Sequence, residues 1–146
     1  LDNISVRDLR AEDADDIARI YSEIIQAPVE SDFKQLIVEH AQRKNDACFV
    51  AVMEDGKIAG FMISYILTMG FGITKSAWMA TFGVDPAHMG RGIGKKLADE
   101  VLKYYRAEGI KNVYSSVRWD SPDLLSFFKS LGFDRSNFIN LRKVLD

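Results

Sequence analysis

The spacing of apolar residues switches repeatedly between two and about 3.6 along this chain, and each switch marks an element. Ile4, Val6 and Leu9 open it as a short strand. Glu12 and Asp13 then place acids where the dipole of a helix N-terminus favours them, and Ile17, Ile20, Tyr21 and Ile24 form the apolar face of a helix that Pro28 ends. The cluster Glu12, Asp13, Asp15 and Asp16 reads as a solvated first turn rather than a metal site. A second helix is expected from near Ser31, a capping residue, through Phe33, Leu36, Ile37 and His40 to about Arg43, with His40 packed or half-exposed. Cys48-Phe49-Val50-Ala51-Val52-Met53 is a second strand, and Glu54-Asp55-Gly56-Lys57 a hairpin turn around Asp-Gly. A long third strand returns over residues 58–68. The stretch Gly70-Phe71-Gly72 connects it to the fourth, Ala77-Trp78-Met79-Ala80-Thr81-Phe82-Gly83-Val84.

Helical spacing resumes at Ile93, Leu97, Val101 and Leu102 and runs, with Tyr104 and Tyr105, to Glu108, where Gly109 is the stop. Val113-Tyr114-Ser115-Ser116-Val117 is a fifth strand. Ser121-Pro122-Asp123 reads as cap, first helical residue and first-turn acid of a last helix carrying Leu124, Leu125, Phe127, Phe128 and Leu131, with Gly132 at its end. Phe133 and the run 138–145 supply the last strand or two. There is no repeat, linker or low-complexity segment.

The junction between the fourth strand and the following helix is where chemistry concentrates. Gly90, Gly92 and Gly94 alternate in Met89-Gly90-Arg91-Gly92-Ile93-Gly94-Lys95-Lys96, so the backbone can turn tightly and aim several N–H groups at one point. Those groups lie at a helix N-terminus, where partial positive charge gathers. Arg91, Lys95 and Lys96 add full charges at the end of a helix that disfavours them, which an anion would relieve. A dinucleotide fingerprint does not fit, because Lys95 stands where its third glycine belongs. A Walker A phosphate loop does not fit either: Met89 replaces its first glycine and Lys96 its Ser or Thr.

Composition narrows the class. The chain has 146 residues, 47% of them hydrophobic, which by length is one domain with a core of its own. A net charge of -2 argues against general nucleic-acid binding and leans toward cationic substrates. One cysteine, Cys48, allows no internal disulfide, and two histidines far apart offer no zinc spacing. No apolar run reaches membrane-spanning length and no signal-peptide pattern opens the chain, so a soluble, cytoplasmic, metal-free domain is expected.

The loop resembles the acetyl-CoA loop of the GCN5-related N-acetyltransferase (GNAT) family, Arg/Gln-x-x-Gly-x-Gly/Ala after a strand ending in a Val-Asp-Pro-like turn. Met89 takes the leading Arg/Gln position and Val84-Asp85-Pro86 the turn. Ser121-x-x-Leu124-x-x-Phe127-Phe128-x-x-x-Gly132-Phe133 resembles a second family segment, Asn-x-x-Ala-x-x-Phe-Tyr-x-x-x-Gly-Phe, with three substitutions. The element order is similar to the family's over almost the whole chain. The resemblance implies an α/β (α+β) fold over a single domain, 1–146, with a mixed, mostly antiparallel sheet of six or seven strands flanked by about four helices. It implies acetyl transfer from acetyl-CoA, as co-substrate and without a metal, to an amine attacking directly in a ternary complex.

The residues so implied at the cofactor are Phe82, Gly83, Val84, Met89, Gly90, Arg91, Gly92, Ile93, Gly94, Lys95, Ser121 and Phe128. Gly83 would admit a close approach to the strand backbone, and an N–H beside Val84 is the natural oxyanion donor. The family often uses a Tyr on the last helix to protonate the leaving sulfur; Phe128 stands there and has no proton to give. No carboxylate occurs between Lys75 and Val84 to serve as base. Tyr114 is the leading catalytic candidate, with Ser115, Asp120 and Tyr65 behind it. A catalytically weak or inactive acetyl-CoA sensor, or an interaction module, is the alternative. The acceptor is expected to be an amine-bearing small molecule, a protein N-terminus or a lysine, with neither nucleic acid nor membrane as partner and a homodimer left open. Glu30 and Asp32 between the first two helices could meet a cation, while Met69, Phe71, Ile73 and Trp78 suit an apolar acceptor equally well.

Overall fold

In a computed structural model, which describes residues 3–70 and 73–146, the chain divides into two compact units, Leu1–Ser116 and Val117–Asp146. The first holds a five-stranded sheet in the order β1 (Ser5–Asp8), β2 (Cys48–Val52), β3 (Ile58–Gly70), β4 (Ile73–Val84), β5 (Val113–Ser115). Neighbours are antiparallel except β4 and β5, which are parallel. Between them run α1 (Ala14–Ile25), α2 (Phe33–Gln42) and α3 (Ile93–Ala107). The Asp-Gly turn forms as expected: Gly56 has φ +88° and the Asp55 carboxylate accepts from Lys57 N at 2.9 Å. Of the connection between β3 and β4, Phe71 and Gly72 lie outside the described residues, as do the side chains of Met69 and Ile73.

Alternation along the strands assigns each helix to a face. Phe61 and Gly83 face α1, where Tyr21 meets Phe61 edge-on, and Tyr65 lies over His40 of α2. Gly60, Met62 and Ser64 face α3. A Cβ on Gly60 would lie 2.9 Å from Ile93 Cγ2, so only glycine lets α3 come this close. The α1/α2 side is sealed by Ile17, Ile20, Ile37, Val50 and Phe61, the α3 side by Leu97, Ala98 and Val101, all at most 1% exposed.

The α3 side also buries a polar knot. Tyr105 Oη accepts from Ala47 N at 3.0 Å and bonds Ser64 Oγ at 2.7 Å; Ser64 Oγ donates to Ala47 O, and Cys48 Sγ donates to Ser64 O at 3.2 Å. Burial pushes the Cys48 thiol up from 9.0 to about 11, and the Tyr105 hydroxyl from 10.0 to about 12. Both groups stay protonated in the folded chain at pH values where the unfolded chain ionises, so stability falls as pH rises through this window. His40 is displaced the other way, lowered chiefly by burial and then by Arg43. Its contribution is present above 6.5, its ordinary value, and is lost as pH falls below it. Urea unfolding across pH should therefore give a plateau between these limits, and Tyr105→Phe should flatten the alkaline slope.

Three sequence expectations need correction. Asp13 is not solvated: it is 4% exposed, accepts from Arg7 Nη1 and Nη2 at 2.9 Å each and from Arg10 N at 2.8 Å. The second helix begins at Phe33 behind Asp32 rather than behind a capping Ser31, and no side chain bonds its first turn. The six or seven strands become five among the described residues, because residues 138–145 are not a strand. A strand needs a ladder partner, and the second unit, whose regular element is α4 (Pro122–Ser130), contains none. Its Ile139, Leu141, Val144 and Leu145 are accordingly exposed.

Candidate functional site

β4 runs on past its neighbour. Parallel pairing with β5 covers only Ala77, Trp78 and Met79, so residues 80–84 have no strand on that side among the described residues. Their other side is laddered to β3, which keeps them extended. The register slips by one between Ile63↔Thr81 and Ser64↔Met79, leaving Ala80 as an extra residue. Such a bulge re-aims the side chains that follow it. At the end of β4, Asp85 closes the short 3-10 turn Pro86–His88, its carboxylate accepting from Ala87 N at 3.0 Å.

The chain then enters the glycine loop. Gly90 (φ +82°) and Gly92 (φ +74°) are left-handed, and a Cβ on either would meet nothing within 4 Å. Backbone conformation rather than crowding thus demands glycine here, and the space in front of the turn is open. Gly92 caps α3 with no side-chain acceptor. The first N–H groups of a helix have no intrahelical partner, so those of Ile93, Gly94 and Lys95 suit an anion.

The side chains are committed differently from their sequence pattern. Lys96 Nζ donates to Ile4 O at 2.7 Å, turning toward the start of the chain, and Lys95 pairs with Asp99 at 2.8 Å on the exposed flank of α3. Arg91 and Met89 are exposed. The close approach expected at Gly83 is made by α1: a Cβ there would lie 2.5 Å from Ile24 Cδ1 and 3.1 Å from Phe61 Cε1. Arg19 of the same helix bonds Asp85 at 3.3 Å, with Glu23 also at 3.3 Å. Arg19 did not stand out in sequence, and Ile24 reads there only as part of the apolar face of α1, since each occupies an ordinary helical position.

Phe82, Gly83 and Val84 are thus joined to the loop 89–95 through one turn, but Tyr114 is not. It sits opposite Trp78, rings 6.1 Å apart, which is about 13 Å along the strand from Phe82 and about 20 Å from Val84. Tyr65 pairs with Trp78 from the other side, and Ser115 Oγ is engaged with Met79 O at 2.9 Å. In the second unit, Asp120 is held by two bonds of 2.8 Å from Arg118, which lower its pKa and make it a poorer base. Ser121 stands at the α4 N-cap without a side-chain bond, Pro122 is at its first residue, and Phe128 is buried against Phe127 and Phe133. Among the described residues no group of three or more His, Cys, Asp or Glu could hold a metal, and no helix is long and apolar enough to cross a membrane.

A strand that outruns its neighbour, a left-handed glycine turn and a helix start without a side-chain cap make up the candidate strand–loop–helix site. The acetyltransferase (GNAT) family model matches residues 14–133, and the chain belongs to that family. It is 47% identical over 55 residues to the N-alpha-acetyltransferase RimI of Mycobacterium tuberculosis, covering 38% of this chain and 33% of that protein. To a mycothiol acetyltransferase of Saccharomonospora viridis it is 28% identical over 114 residues, 73% of this chain and 37% of that protein. The chain therefore spans about a third of the length of these relatives. Among solved structures, an aminoglycoside N-acetyltransferase in complex with CoA superposes with a TM-score of 0.82 at 17% identity, covering 99% of this chain and 96% of that one. An aminoglycoside acetyltransferase from an uncultured soil metagenomic sample gives 0.80 at 21% identity, covering 98% and 97%. Both show the same fold.

Proposed function

We propose that this chain is an acetyl-CoA-dependent N-acetyltransferase acting on a primary amine by direct attack in a ternary complex. The observation that carries it is the stretch 80–84 of β4, laddered to β3 beyond the end of its pairing with β5, running into the Gly90/Gly92 turn at the N-terminus of α3, which no side chain caps. Bound acetyl-CoA supplies an activated acyl group: the amine nitrogen forms the new C–N bond, the C–S bond breaks, and the proton lost by the amine balances the one taken up by the thiolate. The α3 N-terminus would hold the pyrophosphate, and backbone N–H groups of residues 82–84 would stabilise charge on the carbonyl oxygen. We read the two units as a single acetyltransferase domain, 1–146. The family match, which runs across their boundary, supports that reading.

CoA should raise the melting temperature, and acetyl-CoA should release thiol when an amine is added. A protein that CoA never stabilises is not this enzyme. Arg91→Ala should weaken CoA about tenfold or more, since a charge-assisted contact contributes roughly 1.5–3 kcal/mol. Met89→Ala, 68% exposed and uncharged, should leave CoA affinity unchanged. Equal losses from the two would show the loop register to be wrong.

The position of Tyr114 and the phenyl ring of Phe128 favour a second reading, a sensor that binds acetyl-CoA without turnover. Phe128→Tyr separates the two. If solvent protonates the thiolate, kcat should change by less than about tenfold, or about 1.4 kcal/mol in the barrier. Transfer appearing only in the variant establishes the sensor.

A further inference from the structure

We infer that Arg19 is a positioning residue for acetyl-CoA: through Asp85 it holds the turn that sets the direction of the glycine loop. This rests on the acetyltransferase reading above. Asp85 ties the turn to the sheet, its N–H donating to Ala59 O at 2.8 Å, and its own carbonyl accepts from His88 N at 2.8 Å. The carboxylate is divided between two partners. Oδ1 accepts from Ala87 N at 3.0 Å, which closes the turn Pro86–His88, and Oδ2 accepts from Arg19 Nη1 at 3.3 Å. Asp85 is 7% exposed, and a carboxylate with so little water around it needs a countercharge. Arg19 is that countercharge.

The helix that carries Arg19 is seated on the same end of β4. Ile24 Cδ1 lies 2.5 Å from where a Cβ on Gly83 would be, two residues before Asp85. So α1 reaches the strand end twice, by packing at Gly83 and by charge at Asp85. Without Arg19, the Asp85 carboxylate must turn toward water to be solvated. Turning takes Oδ1 from Ala87 N and lets the turn open. Gly90 and Gly92 have open space on their Cβ side, so the turn before them and the helix after them set where the loop points. What Asp85 requires is a charge rather than a planar fork. The bonds from Arg19 to Asp85 and to Glu23 both come from Nη1, a single donor whose place an ammonium can take.

CoA affinity is measured by calorimetry for the native protein, Arg19→Ala, Arg19→Lys and Arg7→Ala. Arg19 is 45% exposed, so its replacement leaves the core intact. Arg7 is the control, because its pair with Asp13 is shorter, at 2.9 Å, and more buried, yet stands ahead of α1 and away from the loop. Arg19→Ala should weaken CoA about fivefold at low salt, the upper end for a half-exposed pair. It should raise KM for acetyl-CoA and leave kcat at saturation unchanged. Arg19→Lys should recover most of the loss, and Arg7→Ala should lower the melting temperature with CoA affinity as in the native protein. In the CoA-free protein, hydrogen exchange at the Ala87 and His88 amides should quicken in Arg19→Ala and not in Arg7→Ala. Native affinity in Arg19→Ala, a loss that Arg19→Lys does not restore, an equal loss in Arg7→Ala, or unchanged exchange overturns the inference and leaves the transferase reading standing. If CoA never binds the native protein, yet those two amides exchange faster in Arg19→Ala alone, Arg19 holds the turn and the transferase reading is what fails.

Discussion

Replacing Gly92 by valine is expected to abolish the thermal stabilisation conferred by CoA. Gly92 sits at φ +74° as the last residue before α3, and a β-branched residue is strained there although space is open around it. Valine would push the turn toward negative φ, rotate the N–H groups of the helix start away from their common direction, and put methyl groups where the phosphates would lie. A general loss of helix stability must be separated from a loss of the anion site. Gly109 provides the control: it is at φ +80° beyond the other end of α3, also with nothing within 4 Å. Gly109→Val should lower the melting temperature of the unliganded protein comparably and leave the response to CoA intact. If both variants keep that response, the loop is only a turn.

The largest expected effect on the fold alone comes from one hydroxyl. Tyr105→Phe keeps the ring of a fully buried residue but leaves Ala47 N without its acceptor and Ser64 Oγ with one partner fewer. An unsatisfied buried polar group costs about 1–3 kcal/mol. The urea midpoint should drop accordingly with little change in slope. Adding Ser64→Ala should cost less than the sum of the two single changes, because the partners belong to one network. Strict additivity would mean that the knot stabilises nothing as a unit.

What sequence revealed here was local chemistry. The alternate glycines marked the turn, Asp55-Gly56 the hairpin, and Pro122 the start of the last helix, each because a backbone geometry admits few residue types. What it concealed depended on partners distant in the chain. Nothing about Ala80 announces a bulge; the slip exists only in the pairing of β3 with β4. Asp13 resembles the other acids around it until Arg7 is laid across it. Lys96 was counted toward the anion site because it follows the glycines, yet the carbonyl of Ile4 claims it. Residues 138–145 have the composition of a strand and no partner in their unit.

The bridge from Arg19 to Asp85 bears on how two ligands would sense each other. Asp85 caps the turn leading into the glycine loop, while Arg19 belongs to α1. A ligand that displaced α1 would be linked to one in the loop through this bridge. Linkage makes such coupling reciprocal: whatever factor the first ligand adds to the affinity of the second, the second returns to the first. The order in which they arrive then leaves the affinity of the ternary complex unchanged, and cutting the bridge would alter the cooperativity between the two sites from both directions by the same amount.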